Sequence, residues 1–155
     1  MNEVVDTLAL ERHIRETIPL ARAMDVTVAD YDGTRLVLAA PLAPNVNDKG
    51  CAFGGSMISL LTLAGWGLVN LKLGAAGITA DVYIQDSTIN YLSPVWDEIL
   101  AEAGAAPGES WDAFCSTLRV RGRARIAVHA EVAAAEGGLV AARFTSRFVA
   151  KATGA

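Results

Sequence analysis

Asn45-Val46-Asn47-Asp48-Lys49-Gly50-Cys51-Ala52-Phe53-Gly54-Gly55-Ser56 is the stretch on which the reading of this chain turns, because an uncharged run, Gly50 to Leu71, overlaps its end. That run predicts a helix from about Gly54 to Leu73, roughly 30 Å long at the α-helical rise. A helix apolar on nearly every side belongs in the middle of a fold. Its length would also span a bilayer. Against a span, Ser56, Ser59, Thr62 and Asn70 interrupt it, glycines recur from Gly54 to Gly67, and no aromatic belt or basic flank sets an orientation. The paired glycines at its start leave backbone N–H groups open to a ligand oxygen, where the helix dipole adds partial positive charge. With a side-chain amide just upstream as a further donor, this is the layout of a carbonyl-oxygen site.

Outward from the helix, residues 5–18 predict a first helix, with Leu10, Ile14 and Ile18 on one stripe and Pro19 disturbing its end. Val26 to Val28 and Arg35 to Ala40 predict two strands around the turn Asp32-Gly33. Pro41 and Pro44 end the second strand and open the Asn-rich loop. After the central helix come strands at about 79–91, 96–105, 119–135 and 138–151, the last two joined by a turn at Glu136-Gly137-Gly138. A short amphipathic helix carrying Trp111, Phe114, Cys115 and Leu118 on one face sits among them. No linker or repeat divides residues 1–155, so a single domain is expected. The pattern is α+β: an antiparallel sheet of five or six strands wrapped around one long helix.

Composition narrows the function. A net charge of −4 and a pI near 5.1 argue against a nucleic-acid partner. Cys51 and Cys115 form neither a metal nor a disulfide pattern, and with His13 and His129 as the only imidazoles no metal-ligand spacing arises. Gly54-Gly55 lacks the Lys-Ser/Thr of a phosphate loop. Met1 to Asp6 is acidic, without the order of a secretory signal, so a reduced cytoplasmic protein with no membrane partner is expected.

Along the helix, Ser56, Ser59, Thr62, Trp66 and Asn70 recur at steps of three or four and form a polar stripe. A substrate channel or a subunit contact would give these groups partners. Equally, Ser and Thr side chains bond back to carbonyls one turn earlier in buried helices.

Asn47-x-x-Gly50-x-x-Phe53-Gly54-Gly55 resembles the Asn-x-x-Gly-x-x-His-Gly-Gly signature of hotdog-fold acyl-CoA thioesterases. Pro44-Asn45-Val46-Asn47 and Phe53-Gly54-Gly55-Ser56, with Phe in place of His, are similar to the putative-thioesterase domain also found fused behind GNAT-type acetyltransferases. Ile89-Asn90-Tyr91-Leu92-Ser93-Pro94 resembles the strand-ending motif that follows the central helix in these families. The resemblance implies a hotdog fold, an acyl-CoA or acyl-carrier thioester as substrate, no cofactor beyond the coenzyme A of that substrate, and a homodimer or homotetramer sharing its sites. It implies that Asn47 polarises the thioester carbonyl and that Gly54 and Gly55 offer it backbone N–H groups. Asn45, Phe53, Ser56 and Ser59 complete the expected substrate contacts.

One departure matters. The related enzymes carry a carboxylate nine residues after the His of their signature, and here that place holds Thr62, no general base without a partner. Asp86, interrupting the run Val82 to Ile89, is the best substitute, expected to be partly buried with a raised pKa, and it is set against the plainer reading of a paired structural carboxylate. The missing carboxylate leaves a non-catalytic thioester-binding module as the alternative function. A hydratase is disfavoured, because Phe53 stands where it needs a His. Cys51 as a nucleophile would need a base near it, and its neighbours in sequence offer none. Arg119, Arg121, Arg123 and Arg125 alternate as if along one strand face. They read as a solvated face balanced by Glu98 and Glu102, or as a patch for the phosphates of coenzyme A.

Overall fold

The computed structural model describes residues 3–134 and 138–154. Helix α1 (Glu3–Thr17) runs into α2 (Pro19–Met24), and the break between them falls at Ile18, whose extended backbone precedes Pro19 at the first helical position. Leu10 and Ile14 are buried as their spacing predicts. Glu11 Oε1 accepts the N–H of Val28 at 2.7 Å, and Arg15 donates to Asp25 Oδ1 at 2.8 Å and Val26 O at 3.0 Å. Two polar residues on the wet side of α1 therefore tie it to the first strand and to the residues that lead into it.

The six strands are β1 (Thr27–Tyr31), β2 (Leu36–Ala40), β3 (Ala80–Tyr91), β4 (Ile99–Ala105), β5 (Arg123–Ala133) and β6 (Val140–Ala152). All pairs are antiparallel and the sheet order is β1-β2-β4-β5-β6-β3. On β6, Ala142, Phe144, Ser146 and Phe148 point inward, while Arg143, Thr145 and Arg147 face out. The inner face closes on α3 (Gly54–Ala75), whose length and apolar composition would also cross a bilayer but which here packs on β2, β3, β4, β5 and β6. This is the hotdog arrangement, a sheet wrapped around one long helix.

Two glycines in α3 let the sheet come close. A Cβ at Gly65 would lie 2.8 Å from the ring of Phe148, and one at Gly67 would lie 2.9 Å from Leu36. Phe148 is fully buried and cannot swing aside. Alanine at 65 gains about 1 kcal/mol in helix propensity, against roughly 1–3 kcal/mol for overpacking. Gly65→Ala is therefore expected to lose about 1 kcal/mol net, read as a midpoint about 2–4 °C lower in thermal unfolding.

The sheet corrects two expectations. Helix α4 (Trp111–Arg121), capped at its N-terminus by Ser110 Oγ accepting from Ala113 N at 3.1 Å, runs through Arg119 and Arg121. It stops at Gly122, whose φ of 73° is the left-handed cap that glycine takes readily. Only Arg123 and Arg125 of the predicted stripe lie on a strand, and Arg119 instead donates to Ala76 O at 2.8 Å. The balancing acids differ as well: Glu102 pairs with Arg35, Glu131 lies 3.7 Å from Arg143, and Asp86 pairs with Arg147. Strand β4 begins at Ile99 rather than at residue 96. Of the predicted turn, Glu136 and Gly137 lie outside the described residues, and Gly138 has the positive φ of 68° expected in a turn.

Candidate active site

Helix α3 starts without a side-chain cap. Phe53 occupies the N-cap position and contributes no side-chain bond, in contrast to Ser110 on α4. The first satisfied amide of the helix is Met57 N, bonded to Phe53 O at 3.1 Å, so the N–H groups of Gly54, Gly55 and Ser56 have no acceptor among the described residues. Three open donors at the positive end of a 22-residue dipole have the chemistry to receive an anion or a carbonyl oxygen.

The loop that delivers them is locked from three sides. Phe53 N donates to Asn45 O at 2.7 Å, Ala52 N to Val95 O at 2.8 Å, and Asn47 N to Cys51 O at 2.8 Å. Tyr91, at the end of β3, donates from its hydroxyl to Gly54 O at 2.9 Å, with its ring edge 3.4 Å from where a Cβ at Gly54 would lie. Tyr91 and Val95 therefore give a physical role to the strand-ending motif, which brings the chain after β3 back onto the start of α3. Tyr91 was legible only as part of that motif, since no side-chain chemistry singled it out.

The predicted residues divide. Asn47 sits where it can do two things at once. Its Oδ1 accepts from Lys49 N at 2.8 Å and Cys51 N at 3.2 Å, an Asx turn, while Nδ2 donates to Cys51 Sγ at 3.1 Å. An amide nitrogen carries two hydrogens, so one N–H of Asn47 has no acceptor among the described residues. Asn45 is only 2% exposed and gives both amide hydrogens away, to Met24 O at 2.9 Å and Pro41 O at 2.8 Å. Its Oδ1 has no partner among the described residues. Asn45 clamps α2, β2 and the start of α3 together, and its amide donors are out of a substrate's reach, contrary to the sequence expectation. Phe53 is 54% exposed with its ring lying over Gly55.

The polar stripe of α3 is partly self-satisfied. Ser59 Oγ donates to Gly55 O at 2.8 Å and Asn70 Nδ2 to Trp66 O at 2.8 Å, the back-bonding pattern, while Trp66 Nε1 crosses to Val82 O at 3.1 Å and stacks on His13. Thr62 has no hydrogen-bond partner among the described residues and lines a cleft with Ser59, Ile18, Leu20, Ala21, Ile58 and Leu63. It lies two helical turns, about 10 Å, from Gly55, too far to touch a carbonyl held by the N–H groups of the same protomer.

Asp86 is the clearest correction. Its side chain is 48% exposed on the outer face of the sheet, where Arg147 Nε donates to both its oxygens at 3.0 and 3.1 Å. Those hydrogen bonds hold its pKa below the usual carboxylate value, the opposite of the raised pKa expected. The pair stabilises the fold above the ordinary carboxyl pKa and lets go as pH falls through the lowered one. Asp48 pairs with its neighbour Lys49 in solvent, and Cys51 is buried against Asn47. Among the described residues, no group of three His, Cys, Asp or Glu side chains is placed to hold a metal.

Known proteins carry the same architecture. A protein of unknown function from Chlorobaculum tepidum TLS superposes with a TM-score of 0.90 at 27% identity, over 95% of this chain and 94% of that one. A protein described as a putative thioesterase from Shewanella oneidensis gives a TM-score of 0.85 at 25% identity, over 96% and 99%. A thioesterase from Haemophilus influenzae, at 13% identity and a TM-score of 0.74 over 94% and 90%, shares the fold. The family model YiiD_C, described as "Putative thioesterase", matches residues 7–152. With an uncapped helix start and its Asn loop in a sheet-wrapped-helix scaffold matched almost end to end, the chain belongs to that family, within the hotdog-fold thioesterase superfamily.

Proposed function

We propose that this protein hydrolyses acyl thioesters of coenzyme A or of an acyl carrier, holding the carbonyl oxygen with the open N–H groups at the start of α3 and the remaining N–H of Asn47. The three unpartnered amides of Gly54, Gly55 and Ser56 carry the reading. As water adds to the carbonyl carbon, the oxygen becomes an oxyanion and the thiolate departs. Donors fixed in advance at that oxygen favour the charged transition state over the neutral ground state. No cofactor enters beyond the coenzyme A of the substrate.

The open face of α3 offers no carboxylate, and Asp86 is held ionised on the far side of the sheet. That favours a second reading, a module that binds thioesters without cleaving them, and release of free thiol from a panel of acyl-CoAs decides between the two. For the hydrolase, hydroxide becomes the attacking species, so kcat is expected to climb by about tenfold per pH unit above neutrality, with no plateau. A sigmoid profile with an inflection between pH 4 and 7 would instead reveal a carboxylate or imidazole base.

The assembly we propose is a homodimer or homotetramer. Strand β3 is a free sheet edge of 12 residues, nine of them exposed, with Tyr83, Ile84 and Tyr91 showing large apolar surface. An unpaired edge this long, with three large apolar side chains exposed along it, invites a second strand, and a second copy of the chain supplies one. Sedimentation at micromolar concentration is expected to give a dimer or larger, and a clean monomer would remove the assembly.

A further inference from the structure

We propose that the cleft between α2 and the N-terminal half of α3 holds the acyl chain of the substrate, and that α2 thereby sets acyl-chain length. The inference rests on the thioesterase reading and adds a substrate class to it. The cleft has a volume of about 320 Å³ and is walled by Ile18, Leu20 and Ala21 on one side and Ile58 and Leu63 on the other. Ser59 and Thr62 are its only hydroxyls, and that of Ser59 is spent on Gly55 O. A lining of aliphatic side chains recognises a hydrocarbon.

Its position on the helix ties the cleft to the proposed reaction. Gly55, Ser59 and Thr62 lie on one face of α3, and the Ser59–Gly55 hydrogen bond joins the cleft to the turn that bears the open amides. A carbonyl held at those amides can send its hydrocarbon down this face. The distance from Gly55 to Thr62 is about 10 Å, which accommodates a medium-length chain of about six to ten carbons rather than a long one. Thr62, placed too far along the helix for the reacting carbon, is where the chain runs.

The test uses Leu63→Trp, which fills the cleft from a half-buried position, and Leu20→Ala, which removes an exposed wall. Thiol release is measured for acetyl-, octanoyl- and palmitoyl-CoA, together with binding of the non-hydrolysable thioethers S-ethyl- and S-octyl-CoA. The wild type is expected to favour octanoyl-CoA. Leu63→Trp should lower the octanoyl-to-acetyl ratio of kcat/KM by at least tenfold, and Leu20→Ala should lower it severalfold. Equal changes across all chain lengths in both variants overturn the acyl cleft while leaving the thioesterase reading intact. If no thioester is cleaved but S-octyl-CoA binds more tightly than S-ethyl-CoA, and Leu63→Trp abolishes the difference, the cleft stands and hydrolysis falls. Binding that ignores chain length overturns the cleft whatever the turnover.

Discussion

Replacing Asn47 by Asp is expected to lower kcat by on the order of 10²-fold or more, as loss of an oxyanion donor does. Stability should stay within about 0.5 kcal/mol of wild type. The two expectations separate the two jobs of this side chain. As a loop-former Asn47 works through its oxygen, which accepts from Lys49 N and Cys51 N, and an Asp oxygen accepts from both equally well. Its nitrogen donates to Cys51 Sγ, and a carboxylate can replace that contact by accepting from the thiol. What Asp cannot keep is the second N–H, and it brings negative charge to where an oxyanion forms. Asn47→Ala, which loses the Asx turn too, should cost both activity and stability. Thermal unfolding run beside thiol-release kinetics checks the pair, and an Asn47→Asp protein with wild-type kcat leaves Asn47 only its loop.

The central helix was legible because a charge-free run of that length either fills a core or crosses a bilayer, and its glycines and hydroxyls favour the core. The β1–β2 hairpin and the amphipathic face of α4 followed from ordinary periodicity. The Arg119 to Arg125 stripe misled because alternate arginines imitate a strand. The competing signal was the i, i+3, i+4 recurrence of Trp111, Phe114, Cys115 and Leu118, which carries the helix on to its left-handed stop at Gly122. Asp86 misled for a different reason. A lone acid in an apolar run looks buried until its partner is known, and Arg147 stands 61 residues away, brought opposite only by the pairing of β3 with β6. The two loop asparagines look alike in sequence. Only the packing shows that Asn45 turns inward as a clamp while Asn47 keeps a donor free. Local pattern thus pointed to the candidate site, and long-range pairing decided which of its residues keep unpartnered groups.

The second large effect is expected from Gly54→Pro, a substitution that deletes one of the proposed oxyanion donors without touching any side chain. Proline is well suited to the first position of a helix, where its missing N–H has no intrahelical partner in any case. Phe53 already has the extended backbone, φ −69° and ψ 132°, that a following proline requires. A Cβ at 54 meets the ring of Tyr91 at 3.4 Å, an ordinary contact, and Gly54 O remains to accept from the Tyr91 hydroxyl. Stability should therefore hold or rise by about 0.4–1 kcal/mol, since proline restricts the unfolded chain. If the N–H of Gly54 reaches the thioester oxygen, kcat should fall by on the order of 10²–10³-fold. Gly54→Ala adds nearly the same carbon at the same place yet retains the N–H, so the difference in kcat between the two variants isolates the amide. Position 55 is the poorer choice for this experiment, because proline there would force Gly54 out of the helical region and its Cβ would strike the Phe53 ring at 2.4 Å. Equal rates for Gly54→Pro and Gly54→Ala, both folded, would move the donor to Gly55 or Ser56 and leave the start of α3 as the site.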